Sequence, residues 1–474
     1  MKSSIVLEYY KVLSKVKLNR FTDFVASPYY TKHKATKKLH HYLLKETRKD
    51  NKQKLEKRIV FQKIFPNESF NEQKLKNAIS LLLDLFENFI AAEALKKDKN
   101  KLRQLNIKES LSSNLIRNTK KNLTKAFAEK HKEENSQTEW LYHSFLLNDL
   151  AHSYEEKFGK RELSSQYLQK RLNFLDDFYF AEKMLTGAAM LNRSKILKTT
   201  FQMNFFEEIK SFSEKNKNNL VIINTNLYLL VETEDELYFK TLKSILKENQ
   251  FNKKELNLYY SFLRNYAIRK INSGNQTYLE ELFNLNIEIL ENDLAVQNNI
   301  ISEWTYKNFI SLGLRLKKFE WTQNFIEKYS SYLGPKIYEN AYNYNLSNLL
   351  YAQEKYDEAL KNLLHINYTD VMYLLGSKAL LLKIYFETKE FEALDSLLHS
   401  FRLLIMRQSK ISSKQRKGYL NLIKTTNSLL ALIIKGKIFS KLKRQQEIDK
   451  IRAKTLAYAD LANKTWVLEK LNEF

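Results

Sequence analysis

Five aromatic residues, Tyr238, Tyr278, Phe319, Tyr356 and Phe391, each open an amphipathic stretch, and they follow one another at intervals of 35 to 41 residues. That interval is too long for one helix and too short for a domain. It fits a unit of two helices that buries its apolar face only by stacking on the next unit. The spacing predicts an all-α chain, an α-solenoid of helical hairpins behind an N-terminal helical module, that works as a binding surface. The turn formers agree, since 8 Gly and 3 Pro in 474 residues are too few for a fold rich in tight turns.

Cysteine is absent, which removes disulfides, thiolate nucleophiles and Cys-based zinc or iron–sulfur sites and fits a reducing cytoplasm. The N-terminal residues MKSSIVLEYYKVLSKVKLNRF continue a helical pattern with Lys on the polar face, unlike a secretory leader. The most apolar run, Leu429 to Phe439, is interrupted by Lys435 and Lys437 and is shorter than the roughly 20 residues that span a bilayer, so no transmembrane segment is expected.

Charge divides the chain in three. Lys and Arg against Asp and Glu give +17 for residues 1–130, −4 for 131–400 and +12 for 401–474, which sums to +25. The expected organisation is a basic N-terminal helical module over 1–135, a helical-repeat region over 136–407 and a basic C-terminal helical cap over 408–474. Within the first, Pro28 forces Ser27 out of the helical region, and Ser69 with Glu72 forms a capping box opening a long helix with Leu75, Ile79, Leu82, Phe86 and Phe89 on one face. Residues 96–134 read as a long exposed helix or a connector. Residues 219–232 read as helix despite their β-branched content, because a lone strand there has no partner. Gly159, Gly274, Gly334 and Gly418 mark hairpin boundaries, and 408–418 reads as a basic connector.

Catalytic phosphate loops are excluded, because no two of the eight glycines lie closer than 18 residues, so GxGxxG, GxxxxGK[ST] and GxSxG cannot occur. Asp149, His152 and Glu156 share a helix face, with His143 and Glu139 earlier on the same helix, but no second ligand pair accompanies them; a solvated polar face is the reading, with no metal and no cofactor. His40 and His41 diverge by about 100° on a helix and cannot chelate together. Adjacent carboxylates such as Asp176–Asp177 cannot face one substrate across a cleft.

Three windows resemble the tetratricopeptide repeat. From Asn340, Leu346, Ser347, Leu350, Tyr356, Ala359 and Leu363 fall at positions 7, 8, 11, 17, 20 and 24 of that pattern; windows from Glu303 and Leu375 fit more loosely, with Ile310 and Leu382 where a small residue belongs and Leu394 replacing the Ala. The segments FTDFVASPYYTKHK (21–34), FQKIFPNESFNEQKL (61–75) and ALLLKIYFETKEFEALDSLLHSFR (379–402) also resemble uncharacterised bacterial helical-repeat proteins with a similar N-terminal module. The first resemblance implies a groove whose contacts come from positions 5, 9, 12 and 13 of each first helix. Carried across, these are Lys307, Ser311, Leu314 and Arg315, then Tyr344, Asn348, Tyr351 and Ala352, then Lys383 and Phe386.

The expected function is thus a non-catalytic, cytoplasmic scaffold whose groove, through Lys307, Ser311, Arg315, Tyr344, Asn348, Tyr351 and Lys383, binds a protein or peptide, with acidic segments suited to its cations. The alternative is a nucleic-acid-associated regulator holding phosphate with Lys34, Lys37, Lys38, Lys74, Arg416 and Lys417, its N-terminal helices leaving room for a helix-turn-helix reader.

Overall fold

A computed structural model describes residues 5–48, 53–128, 137–197, 199–335, 337–366, 371–409, 411–435 and 438–474. About 80% of the described residues are helical, in 23 α-helices, and two short strands, β1 (Val296–Gln297) and β2 (Ile300–Ile301), form a small antiparallel ribbon. The all-α expectation holds. The chain divides into two compact units, one of residues 1–183 and 207–222, the other of 184–206 and 223–474.

In the first unit, α1 (Ile5–Val12), α2 (Lys15–Ala26), α3 (Lys34–Arg48), α4 (Lys57–Ile64) and α5 (Glu72–Lys97) enclose one core. Phe21 of α2 stacks on Phe86 of α5 with ring centroids 3.6 Å apart. Ser27 ends α2 in the extended region (φ −62°, ψ 126°), as Pro28 requires. The start of α5 corrects the expected capping box: Asn71, not Ser69, accepts the Lys74 amide at 2.9 Å, and Glu72 turns to Lys57 Nζ at 2.7 Å. An Asn two residues nearer the apolar run caps as well as a Ser. Residues 96–134 are also corrected. They form neither one helix nor a connector but α6 (Lys99–Ser112) and α7 (Ile116–Ala128), which pack on each other and on α8 (Gln137–Phe158) around Ile107, Leu123, Ala151 and Tyr154; 129–136 lie outside the described residues. Next come α9 (Arg161–Leu197), α10 (Phe206–Ser213) and α11 (Asn219–Thr233), the last a helix as expected.

His40 is buried in the first core and fully hydrogen-bonded. Thr22 Oγ1 donates to the Leu18 carbonyl at 3.0 Å, so it accepts from Nε2 of His40 at 2.9 Å; Nδ1 is then the acceptor for the Tyr10 hydroxyl at 2.8 Å. The network holds a neutral imidazole. Burial, and then the charge of His41, lower its pKa from 6.5 to about 4.

In the second unit, α12 (Glu236–Glu248) leads to four helix pairs: α13 (Lys253–Asn272) with α14 (Tyr278–Glu291), α15 (Glu303–Arg315) with α16 (Phe319–Ser330), α17 (Tyr338–Ala352) with α18 (Tyr356–Leu363), and α19 (Val371–Glu387) with α20 (Phe391–Arg407). Tyr278, Phe319, Tyr356 and Phe391 are the first residues of their helices, and Tyr238 is the third of α12. Within each of these four pairs the first helix ends the same way. A residue with positive φ, Gly274 (103°), Lys317 (55°), Glu354 (62°) or Lys389 (61°), reverses the chain, and the next amide closes a six-residue hydrogen bond: Asn275 to Lys270, Lys318 to Gly313, Lys355 to Leu350 and Glu390 to Tyr385, at 2.9 to 3.0 Å.

The chain finishes with α21 (Ser413–Lys435), α22 (Lys441–Ala457) and α23 (Lys464–Asn472). Two expectations fail here. The basic connector is in part the first turns of α21, and Gly418 lies inside that helix rather than at a hairpin boundary. The Gly418 carbonyl accepts the Ala462 amide at 3.1 Å, and a Cβ at 418 would meet that nitrogen at an ordinary contact distance of 3.5 Å, so the position does not require glycine.

Two predictions follow from these contacts. His40 has a folded pKa below its unfolded one, so the stability it contributes is complete above pH 6.5 and is lost as pH falls toward 4. At about 1.4 kcal/mol per pH unit that is about 3 kcal/mol, and urea titrations of His40→Gln should show a correspondingly flatter pH dependence than the parent. Glu354→Gly should stabilise by about 0.5 kcal/mol, because it relieves the left-handed Cβ contact at some cost in unfolded-state entropy. A shift of the urea midpoint downward would show that the Glu354 side chain contributes more than its backbone conformation costs.

Candidate binding face

The first helices α15, α17 and α19 pack successively, α15 on α17 and α17 on α19, and this brings half of the expected groove positions into two clusters. In the first, the ammonium of Lys307 sits 5.7 Å from the ring centre of Tyr344 and 5.8 Å from that of Trp304. The Tyr344 ring meets Tyr373 edge-on at 5.5 Å and rests against Gly376, where a Cβ would come within 2.7 Å of its hydroxyl. Burial pushes the Tyr344 hydroxyl pKa up and lowers that of Lys307.

The second cluster is tighter. Lys383 lies 4.0 Å over the ring of Tyr351, whose hydroxyl donates to Glu387 Oε1 at 3.1 Å. Glu387 also accepts from Trp466 Nε1 at 3.0 Å and from Lys470 Nζ at 2.7 Å, both on α23. Trp466 in turn packs edge-on against Phe386 at 5.4 Å. Desolvation lowers the Lys383 pKa to about 8, against the pull of Glu387 and Glu469. The C-terminal helix therefore covers the Lys383 and Phe386 end of the row, and Phe386 is buried as core.

The remaining positions are separate. Ser311 and Arg315 are exposed, and Arg315 donates to Gln276 Oε1 at 2.7 Å. Asn348 turns back to donate to the Tyr344 carbonyl at 2.7 Å, while Leu314 and Ala352 are half-buried. Trp304, Gln276, Glu387, Trp466 and Lys470 belong to this face and were not legible from repeat spacing. Trp466, an isolated indole in the charged segment KTWVLEKL, was the one visible signal for them.

Of the residues expected to hold phosphate, Lys34, Lys38, Lys74 and Lys417 are exposed, Lys74 within an ion pair. Three of the six, Lys37, Lys74 and Arg416, already have partners within the fold. Lys37 donates to the Ala26 carbonyl at 2.8 Å, and Lys74 pairs with Glu68 at 2.5 Å above the Phe65 ring. Arg416 caps α20, donating to the carbonyls of Ile405 and Gln408 at 2.6 and 2.5 Å.

The polar face of α8 is tied to α9. Ser164 donates to Glu156 at 2.6 Å and meets His152 Nδ1 at 2.8 Å, and Asp149 pairs with Arg171 at 3.1 Å. No group of three His, Asp or Glu among the described residues could hold a metal ion. No helix of the described residues is long and apolar enough to cross a membrane. The chain matches no protein-family model, no curated protein and no solved structure.

Gly376→Ala tests the first cluster. The added methyl must displace the Tyr344 ring, so the variant should lose about 1–3 kcal/mol in denaturant titrations even though Ala favours a helix. Unchanged stability would mean that Tyr344 is free to swing away from α19.

Proposed function

We propose that this chain is a non-catalytic protein- or peptide-binding scaffold, an α-solenoid of degenerate tetratricopeptide-like hairpins that uses the face of α15 and α17 to hold an acidic segment. The observation that carries this reading is the placement of Lys307 against Tyr344, since residues one repeat apart meet in one half-buried cation–aromatic contact without a carboxylate in ion-pairing distance among the described residues. Such a cation retains charge for an incoming carboxylate, and the ring already removes part of its water. Exposed Ser311 and Arg315 extend the same helix face by one and two turns. The cysteine-free composition fits a cytoplasmic setting.

The experiment is affinity capture from native lysate, with and without nuclease, using the parent chain and Lys307→Ala/Arg315→Ala. Both side chains are off the apolar core, so the melt should be retained. Capture of a nuclease-resistant protein partner should fall by an amount corresponding to about 1–4 kcal/mol per anchor. Undiminished capture by a variant with an intact melt would move the binding face elsewhere.

A further inference from the structure

The helices α20, α21 and α22 pack in sequence, and α21 has a cleft on each flank. The cleft toward α22 has a volume of about 440 Å3, and the one toward α20 about 530 Å3. Their origin is visible in the sequence of α21. Thr425, Ser428 and Ala431 recur at helical spacing on the α22 side, where larger residues would fill the gap, while Leu432 and Ile451 supply an apolar floor.

The rims of both clefts are cationic, and Lys424 lines both. Lys450 and Lys454 stand one turn apart on α22, and Arg402 comes from α20. All four are exposed. The acids facing the same space are Glu447, 3.8 Å from Lys450, and Asp395 on α20, with His399 beside it, so the strip retains an excess of positive charge. Two aromatic residues, Phe439 and Tyr458, are half-buried in the wall of the first cleft.

We propose that this strip binds single-stranded nucleic acid, with Lys424, Lys450, Lys454 and Arg402 on the phosphates and an unstacked base entering the cleft against Phe439 and Tyr458. Charge alone would suit any polyanion. A cleft with an apolar floor and ring walls beside a line of lysines suits a strand whose bases are free to leave the stack, and a duplex keeps its bases inside. The site differs from the positions that charge runs alone single out, because Arg416 is consumed in capping α20. It is also independent of the peptide face on α15 and α17.

The test uses the full chain and fluorescence anisotropy with a labelled oligouridylate, a duplex of equal length and vesicles containing phosphatidylglycerol. The oligouridylate should bind best, with a salt slope of about −0.7 per neutralised phosphate. Lys424→Glu/Lys450→Glu/Lys454→Glu should weaken binding about tenfold or more and reduce that slope by about 2. Phe439→Ala/Tyr458→Ala should weaken it about fivefold or more and leave the slope unchanged, since stacking releases no counterions. Lys307→Ala/Arg315→Ala should have no effect. Thermal melts accompany each variant, and Gln replaces Glu in the triple variant if charge reversal unfolds it. The proposal is overturned by equal affinity for duplex, by binding to vesicles without binding to the oligonucleotide, by an equal loss from Lys34→Glu/Lys38→Glu, or by no binding at low salt.

Discussion

The six-residue hydrogen bond that ends α13, α15, α17 and α19 is the constraint on which the second unit depends. It fixes the angle at which each second helix leaves its partner, and so decides which residues of successive first helices meet. At three of these turns the left-handed residue carries a side chain, Lys317, Glu354 or Lys389, in a conformation that costs about 1 kcal/mol relative to glycine. The cost is met by the closing backbone bond and by the packing of the helix that follows, whose aromatic first residue comes two positions later in each of the three. Sequence pairs such as Lys317–Lys318 before Phe319 and Lys389–Glu390 before Phe391 are thus turns without glycine, which is how so glycine-poor a chain makes so many reversals.

Where first helices meet, lysine on tyrosine recurs, Lys307 on Tyr344 and Lys383 on Tyr351. A ring returns about 0.5–2 kcal/mol to a cation, less than the several kcal/mol that full desolvation removes. Lys383 shows the imbalance, its pKa drawn down to about 8, with Glu387 shared among Tyr351, Trp466 and Lys470. The acids that act on Lys383 are Glu387, one turn further along α19, and then Glu469 of α23. For Lys307 the acid that acts on its charge is Glu303, one turn before it on α15.

What could be read from the sequence was local. Helix identity, the exit at Ser27 before Pro28, the helical 219–232 and the aromatic starts at 278, 319, 356 and 391 all depend on neighbours within one turn, where periodicity and Pro chemistry decide. The α5 cap at Asn71 rather than Ser69 is a local difference, and others arise where distant chain decides. Gly418 reads as a turn because glycine usually is one, yet it sits in α21, where its carbonyl accepts the amide of Ala462 from the segment after α22. Arg416 reads as free charge because the carbonyls it caps belong to the end of α20. At the candidate face, helical spacing placed Lys307, Ser311 and Arg315 on one side of α15, but it had no access to Trp466 and Lys470, which reach Glu387 from some 80 residues further along the chain, separations of 79 and 83.

The two cationic surfaces of the second unit differ in how much water they keep, and the two proposals rest on that difference. Lys307 is partly desolvated against rings, so its attraction for a carboxylate is little screened by salt, and the orientation of the rings constrains where that carboxylate sits. Lys424, Lys450 and Lys454 are exposed, and each alone contributes little at physiological ionic strength. They act through number and through the counterions that a polyanion gives up when it meets several of them at once. A single acidic peptide, with charges it must hold against side-chain entropy, gains little from such a strip. A strand with one phosphate per nucleotide gains at every contact, and the cleft beside Lys424 gives its bases somewhere to go that the face of α15 and α17, filled by Tyr344 and Tyr373, does not.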